Sequence, residues 1–189
     1  MHIQIILGSI RKGRVAKPVG DWVYQNAKGR KDATFELIDL KEWDLPMFNL
    51  PKGPIKGDYE DPAQQRWAKK IDQGDGYVFV CPEYNHGYPS VLKNAVDYLY
   101  AEWVRKPASF VSYGGVNGAR SVEQLRLVVI ELQMAPLREA LHIPDVWGKV
   151  EKDRFAGDSD DTKQLSKTLD DLVWWTEALR KARGASSST

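Results

Sequence analysis

The segment that follows the first apolar run of the chain has the residue types of an anion-binding loop. Residues 8–14, with the sequence GSIRKGR, come after the strand-like run Ile3–Leu7 and before an amphipathic stretch. Glycines let backbone N–H groups turn inward, and a helix N-terminus adds positive potential. Ser9 adds a hydroxyl, and Arg11 and Arg14 add guanidinium groups. The segment therefore predicts a site for a terminal phosphate.

Two well-known phosphate motifs do not fit this loop. Gly8 and Gly13 have the spacing of a Walker loop, but Arg14 and Val15 stand where its lysine and magnesium-binding hydroxyl should be. Ile10 interrupts the G-x-G-x-x-G fingerprint of dinucleotide-binding proteins. A monophosphate held by backbone, serine and arginine remains, and the alternative is an ordinary strand-to-helix loop with solvated arginines.

Two more polar loops follow apolar runs further along the chain. The run Tyr77–Cys81 leads into a loop at residues 82–88, and the run Ala108–Tyr113 leads into a glycine-rich loop at 114–118. In an open parallel sheet, ligands bind beyond the carboxyl ends of the strands, where such loops meet. A phosphate near the first loop and a flat ring near the other two would suit a mononucleotide, and FMN is the obvious candidate.

A flavin ring needs a flat wall and backbone donors, and both loops offer them. The candidate ring-binding residues are Pro82, Glu83, Tyr84, Asn85 and His86 in one loop, and Ser112, Tyr113, Gly114 and Gly115 in the other. Tyr84 could stack on the ring, the Asn85 amide could brace its loop, and the two glycines let backbone approach closely because they lack Cβ. Tyr88 and Trp103 are further candidates for the pocket wall.

Simpler interpretations of the same residues remain open. Residues 85–87 could form only a turn, and His86 could be a solvated loop residue. Glu83 could cap a helix or pair with Arg120. We interpret Cys81 as a buried strand residue rather than a nucleophile, because no base is in evident reach. Asp39, at the end of the second predicted strand, is interpreted as a loop anchor.

The elements that must position these loops alternate along the chain. Five apolar runs alternate with amphipathic stretches, which predicts a doubly wound α/β domain. We expect a flavodoxin-like three-layer sandwich with a five-stranded parallel sheet in the order 2-1-3-4-5. A single domain is expected over residues 1–183, with a last helix ending at about Arg183 and a disordered tail at 184–189. The predicted fourth helix runs to Met134, and the third strand is expected to end before Pro82, which cannot donate to a ladder.

Composition excludes several functional classes. The chain has 189 residues, a net charge of +1 and one cysteine. A near-neutral chain without a basic stripe does not suggest nucleic acid as a partner. One cysteine allows no internal disulfide and no thiolate metal cluster, and no metal site is expected. The sequence shows no signal peptide and no apolar run of the ~20 residues that span a bilayer, so a cytoplasmic protein without membrane contact is expected.

Several segments together resemble the NADPH-dependent FMN reductase family, which includes flavodoxin-like quinone, azo-dye and chromate reductases. The matching segments, in family order, are Gly8–Arg11, Leu45–Phe48, Pro82–Asn85, Leu92–Asp97, Ser112–Gly115 and Gly118–Arg120. The resemblance implies that Ser9, Arg11 and the following turn hold the FMN phosphate. It also implies that the loops at 82–85 and 112–115 surround the ring, and that the protein is a homodimer or homotetramer with FMN near the subunit boundary.

The turn after Arg11 departs from the family pattern. The family often has serine and asparagine at the positions of Arg14 and Ala16. Arg14 could replace the missing ligand, and Val15 and Ala16 complete the predicted phosphate-binding turn.

The resemblance and the loops together predict an FMN-dependent NAD(P)H oxidoreductase. NADPH or NADH would pass hydride through FMN to a small-molecule acceptor such as a quinone, an azo compound, chromate or free flavin. No side chain needs to act as acid or base, so no catalytic residue is predicted. Two other classes remain open, namely a flavodoxin-like electron carrier and an FMN-based redox-responsive binding protein. A phosphate-binding protein without flavin is the simplest alternative.

Overall fold

Five parallel strands form the central sheet. In the computed structural model, which describes residues 1–186, these strands are β1 (His2–Leu7), β2 (Thr34–Asp39), β3 (Gly76–Pro82), β4 (Pro107–Tyr113) and β5 (Ala135–His142). Their order is β2-β1-β3-β4-β5, and every neighbouring pair is parallel. This order confirms the predicted flavodoxin-like α/β fold.

Helices cover both faces of the sheet. They are α1 (Ala16–Ala27), α2 (Pro62–Asp72), α3 (Ser90–Asp97), α4 (Ala119–Glu131) and α5 (Ser159–Ser186). Short 3-10 turns occur at 40–42, 54–56, 101–103 and 146–149, and a small antiparallel hairpin joins β6 (Val150–Glu151) to β7 (Arg154–Phe155). No helix within the described residues is long and apolar enough to cross a bilayer.

The strand β3 connects the two halves of the core because all seven of its residues are buried. Tyr77 and Phe79 face a cluster that includes side chains of α2, α3 and α4. Val78 and Val80 face the opposite cluster, which includes side chains of α1 and α5. A continuous apolar run is what a strand covered on both faces requires.

Local sequence signals explain where α2 begins and where α4 ends. Asp61 accepts a hydrogen bond from the backbone N–H of Gln64 at 2.9 Å, and Pro62 occupies the first helical position. The helix α4 ends at Glu131, three residues before the predicted end at Met134. Gln133 adopts a left-handed conformation with φ of 57°, which stops the helix.

Two other features of the fold differ from what the sequence predicts. Pro82 does not lie outside the sheet; it is the last residue of β3 and pairs with Tyr113, since a proline at a strand end loses only its own N–H. The hairpin β6–β7 was not predicted, because its turn places Lys152 and Asp153 at positive φ and lacks the usual Asn-Gly signal.

The last helix is longer than expected. Residues Gly184–Ser186 continue α5 instead of starting the predicted tail, because one glycine among helix-compatible residues costs only about 1 kcal/mol. Residues 187–189 lie outside the described part of the chain.

The long irregular segment between β2 and α2 is docked onto α3. The Asn94 amide donates to the carbonyl of Pro46 at 2.8 Å and accepts from the N–H of Phe48 at 2.8 Å. The Tyr98 hydroxyl also donates to the Pro46 carbonyl at 2.8 Å. These bonds fix the backbone of residues 45–48, although the Met47 side chain is 70% exposed.

The close contact between β3 and α5 generates a stability prediction. A Cβ at Gly76 would lie 2.5 Å from Thr176 Oγ1 and 3.3 Å from Pro107 Cγ. Replacing Gly76 by Ala should therefore destabilise the protein by about 1–3 kcal/mol through overpacking. Each kcal/mol should lower the Tm by about 2–4 °C in thermal unfolding of a chain of this size.

Gly29→Ala is the matched control for Gly76→Ala, because a Cβ at Gly29 would meet no atom within 4 Å. This control should leave the Tm close to that of the wild type. Equal Tm values for the two variants would contradict the packing argument.

Candidate functional site

Three loops meet at the carboxyl edge of the sheet. They follow β1, β3 and β4, which are adjacent strands. The N–H of Gly8 donates to the carbonyl of Val80 at 2.9 Å, and the N–H of Glu83 donates to the carbonyl of Tyr113 at 2.9 Å. Each loop therefore starts in direct contact with its neighbour, as the sequence predicts for a shared site.

The first loop touches the second through Ser9 and Tyr84. Their hydroxyl oxygens are 2.6 Å apart, and Ser9 is fully buried beneath this contact. The N–H of Arg11 donates to Ser9 Oγ in a long bond of 3.4 Å. The exposed Arg11 guanidinium lies 5.9 Å from the centre of the Tyr84 ring. Ser9, Arg11 and Tyr84 thus form one cluster with a hydroxyl pair and a solvent-facing cation.

Arg14 has a different environment from the one expected of a free anion ligand. Its guanidinium donates to the Ser9 carbonyl at 2.8 Å and forms a tight ion pair with Asp39. The side chains of Arg14 and Asp39 are only 9% and 8% exposed. Asp39 also accepts from the N–H of Lys41 at 3.0 Å, so it anchors the loop as interpreted from the sequence. Arg14 is therefore placed to hold the loop backbone, and a direct phosphate contact stays a prediction.

The start of α1 presents unpaired backbone donors to the first loop. Val15 is the N-cap, and no side chain of residues 1–186 caps this end of the helix. Ala16 is the first helical residue and is fully buried. The first N–H groups of a helix have no intrahelical partner and favour an anion. Gly13 has φ of +67°, a left-handed conformation that glycine adopts easily as the loop turns toward the helix.

The second loop contains a two-residue turn. The N–H of Tyr84 donates to the Gly87 carbonyl at 2.8 Å, and the Gly87 N–H returns a bond at 3.1 Å. Between them, Asn85 and His86 both have positive φ, as in the type I′ turn of a tight hairpin. Both side chains are exposed, and within residues 1–186 the Asn85 amide makes no hydrogen bond to its own loop. The turn interpretation is therefore correct as structure, and the His86 carbonyl accepts from Gln124 Nε2 at 2.8 Å.

The third loop needs its glycines. Gly114 has φ of +145°, and a Cβ there would lie 2.7 Å from the Cβ of Glu83. Gly118 has φ of +76°, and a Cβ there would lie 2.6 Å from the Tyr113 nitrogen. Gly115 is exposed beside them. The second and third loops therefore pack against each other with no room for a side chain at residue 114.

Glu83 pairs with Arg120, which is one of the alternatives left open by the sequence. Glu83 Oε1 accepts from Arg120 Nε at 2.7 Å and from its terminal nitrogen in a shorter bond. The Glu83 side chain is only 4% exposed. Its second oxygen, Oε2, is buried and finds no hydrogen-bond partner among the described residues. A buried acceptor of this kind is costly unless a ligand supplies a donor.

Three nearby side chains, Cys81, Tyr88 and Tyr113, favour their neutral forms. Burial raises the pKa of the Cys81 thiol to about 12, and its sulfur lies 2.7 Å from Ser121 Oγ. Burial likewise raises the pKa of the Tyr113 and Tyr88 phenols. Cys81 is fully buried, as expected, and a neutral buried thiol is a poor nucleophile.

Two of the predicted pocket residues are placed differently from expectation. Tyr113 ends β4 but is only 5% exposed and belongs to the core cluster on the side of α1 and α5. Trp103 lies just before β4, at the opposite edge of the sheet, and is fully buried against Tyr77 and Phe79. Trp103 is therefore not a pocket wall, since its ring fills the core.

Sequence reasoning missed two residues that support the loops. Asn117 contributes its carbonyl, which accepts from Ser112 Oγ at 2.8 Å. His142 ends β5, and its Nδ1 lies 2.7 Å from the same Ser112 oxygen. The position of His142 at the carboxyl end of a predicted strand was the signal that could have identified it.

Comparisons with known proteins identify the family of this chain. Residues 1–148 match the family model described as NADPH-dependent FMN reductase. The chain belongs to this family. It is 40% identical over 146 residues to an NAD(P)H-dependent FMN reductase of Schizosaccharomyces pombe, covering 75% of this chain and 73% of the relative. It is 31% identical over 134 residues to an NAD(P)H:quinone oxidoreductase of Solanum tuberosum, covering 68% and 67%.

A solved structure shows the same fold over nearly the whole chain. The flavoenzyme NAD(P)H:(acceptor) oxidoreductase FerB from Paracoccus denitrificans superposes with a TM-score of 0.76 at 23% identity, covering 94% of this chain and 97% of FerB. Family membership confirms the predicted enzyme class, an NAD(P)H-dependent FMN oxidoreductase, and the predicted cofactors FMN and NAD(P)H.

Proposed function

We propose that this protein uses NAD(P)H to reduce quinones through FMN bound across the loops that follow β1, β3 and β4. The observation that carries the proposal is the direct contact between the first two loops, where Ser9 and Tyr84 are hydrogen-bonded at 2.6 Å. A cofactor with an anionic end and a flat end needs these two kinds of loop side by side. Family membership supplies the flavin and the nicotinamide.

The phosphate of FMN is assigned to the first loop. Its ligands would be the Ser9 hydroxyl, the Arg11 guanidinium and the uncapped N-terminus of α1 at Val15 and Ala16. Arg14 supports this loop from behind, through the Ser9 carbonyl. An exposed arginine beside a fixed hydroxyl suits a charge-assisted bond to phosphate oxygen.

The flavin ring is assigned to the second and third loops. Their candidate residues are Pro82, Glu83, Tyr84, Asn85, His86, Ser112, Tyr113, Gly114 and Gly115. The chemistry of the site fits the ring, because the buried Glu83 Oε2 needs a donor and a flavin carries an N–H on its pyrimidine ring. Tyr113 would contribute through its backbone, since its phenol is buried.

Hydride transfer is the chemistry that FMN supplies when it is bound. The residues of the three loops would bind FMN and orient its ring. Cys81, Tyr88 and Tyr113 have raised pKa values, so each keeps its proton at neutral pH and none is prepared to act as a base. Overall, NAD(P)H, one proton and a quinone give NAD(P)⁺ and a hydroquinone.

The acceptor class rests on relatives and on charge. The Solanum tuberosum relative is named a quinone oxidoreductase. The net charge of +1 argues against an electron carrier with an acidic docking surface. Azo compounds, chromate and free flavin are alternative acceptors for the same exposed ring.

A cytoplasmic location is proposed because the single cysteine is a free buried thiol, and cell fractionation tests it.

A homodimer or homotetramer is also proposed. The outer face of α4 carries Leu127 and Ile130, which are 69% and 56% exposed, and Val116 in the adjacent loop is 46% exposed. Residues three apart on a helix share a face, so Leu127 and Ile130 form an apolar patch in the C-terminal half of α4. Such a patch is typical of a subunit contact.

The central test is an activity measurement on the purified protein. With FMN bound, NADPH or NADH added without oxygen should bleach the flavin absorbance, and a quinone should restore it. Steady-state rates should follow ping-pong kinetics, because nicotinamide and quinone would use the same ring face in turn. A yellow protein that neither consumes NAD(P)H nor passes electrons to a quinone would refute the proposal.

The phosphate assignment predicts a difference between two flavins. Arg11→Ala should weaken FMN binding about 10- to 100-fold, the range expected for a lost bond between charged groups. Riboflavin lacks the phosphate, so its affinity should not change. Fluorescence titration measures both affinities, and Lys12→Ala, which removes the adjacent exposed cation, is the matched control. Equal losses for both flavins would mean that the phosphate lies elsewhere.

The subunit assignment predicts an effect of charge on α4. Leu127→Glu should shift the protein toward a smaller species in sedimentation velocity, because a buried charge opposes association. Leu127 is exposed in the single chain, so the fold should be retained in circular dichroism. Ile55→Glu, at an exposed position in the segment before α2, is the control and should keep the wild-type size. A monomeric wild type would contradict this part of the proposal.

A further inference from the structure

His142 has no role in the site as described so far, although it contacts Ser112 at the start of the ring-binding loop. It is the last residue of β5, next to Ser112 on β4, and it is half-buried. Its Nδ1 is 2.7 Å from Ser112 Oγ. The backbone adds a second tie between the strands, since the N–H of Ile143 donates to the Ser112 carbonyl at 2.8 Å.

The contacts of Ser112 determine where the imidazole carries its proton. A serine hydroxyl has one proton to donate. The Asn117 carbonyl, 2.8 Å from Ser112 Oγ, can only accept, so the hydroxyl proton points to Asn117. In the contact with His142, Ser112 Oγ must therefore be the acceptor, and His142 Nδ1–H donates to it. The neutral His142 imidazole therefore carries its proton on Nδ1, and Nε2 is unprotonated.

The environment of His142 favours this neutral form. Burial lowers the pKa of the imidazole, and the nearby Arg126 guanidinium on α4 lowers it further. Arg126 is itself fixed, since it donates to the Arg138 carbonyl at 3.0 Å and lies 5.2 Å from the centre of the Phe110 ring. The neutral histidine can thus act as a permanent donor at Nδ1 around neutral pH.

The loop that this donor supports has a conformation that must be held. Gly114, Asn117 and Gly118 all have positive φ, with values of 145°, 56° and 76°. Asn117 has a side chain, so its left-handed conformation is uncommon and costs free energy. The loop is closed by the Asn117 N–H to the Gly114 carbonyl at 3.1 Å and by the Ser112 hydroxyl to the Asn117 carbonyl. Losing the orientation of Ser112 would remove the second of these closures.

We propose that His142 is a positioning residue for the flavin ring. It fixes the Ser112 hydroxyl toward Asn117, and the closed loop then presents the backbone of residues 113–115 to the isoalloxazine. A loop that is already closed pays less ordering cost when the ring binds, so affinity for the ring depends on His142 without any contact between them. This proposal rests on the ring placement proposed above.

The tautomer can be observed directly in the wild-type protein. Two-dimensional ¹H–¹⁵N NMR of the histidine side chains at pH 7.5 should show one imidazole protonated at Nδ1, which the variants of His142 lose. The Ser112→Ala variant should release this imidazole from that tautomer. An imidazole of His142 protonated at Nε2 alone would overturn the proposal before any ligand is added.

Flavin titrations test the consequence for the site. His142→Ala and Ser112→Ala should each weaken binding about five- to tenfold, as expected for a lost hydrogen bond that preorganises a loop. The loss should be equal for FMN and riboflavin, because the ring and not the phosphate is affected. His142→Asn keeps an N–H near the position of Nδ1 and should restore affinity close to wild type.

A second histidine provides the control. His2 lies at the opposite end of the sheet, with Nε2 3.1 Å from Glu36, and His2→Asn should leave flavin affinity unchanged. Because His142→Asn preserves the bond, it remains informative even if His142→Ala unfolds.

The pattern of losses separates the two proposals. A loss in Ser112→Ala without a loss in His142→Ala would refute the role of His142 and keep the ring placement. No loss in either variant, while Arg11→Ala still weakens FMN, would refute the ring placement itself. A loss for FMN but not for riboflavin in the His142 variants would refute a role that acts on the ring.

Discussion

Parallel pairing of β1, β3 and β4 forces the loops that follow them to leave the sheet at one edge and in contact. The register places Leu7 beside Val80 and Pro82 beside Tyr113, so the loops begin almost level with one another. No long side chain is needed to bridge them, and backbone bonds already tie each loop to its neighbour. The anion-binding and ring-binding residues form one site because the adjacent parallel strands that precede them end at the same edge of the sheet.

Buried polar groups then fix the shape of each loop. Arg14 and Asp39 form an ion pair behind the first loop, Glu83 meets Arg120 between the second and third, and Ser112 closes the third. Breaking the buried Arg14–Asp39 pair would leave an uncompensated charge, so this arrangement is strongly held. The side chains that face solvent at this edge, such as Arg11, are correspondingly free to meet a ligand.

Much of the architecture could be predicted because the relevant signals are local. The apolar run at residues 77–81 and the alternation of strands with helices lead to the observed sheet order, and the capping of α2 by Asp61 follows from its sequence alone. The possible pairing of Glu83 with Arg120 could be proposed from charge, but the unpartnered Glu83 oxygen could not, because burial depends on distant packing.

Residue type alone does not decide the contacts of a side chain that has several chemically suitable partners. An arginine in a phosphate loop can contact the ligand or an aspartate, and the sequence does not decide between them for Arg14. Trp103 is aromatic like a pocket wall and yet fills the core, since aromatic rings suit both settings. The link between His142 and Ser112 joins residues 30 positions apart, and no spacing rule covers it.

The fully buried Cys81 has a practical consequence for biophysical work on this protein. It is the only cysteine of the chain, and its thiol is both enclosed and protonated. The folded molecule therefore behaves toward maleimides as if it contained no cysteine. A single cysteine introduced at the solvent-facing position of Met47 would accept a spin label or a fluorophore selectively, and the native thiol could be left in place.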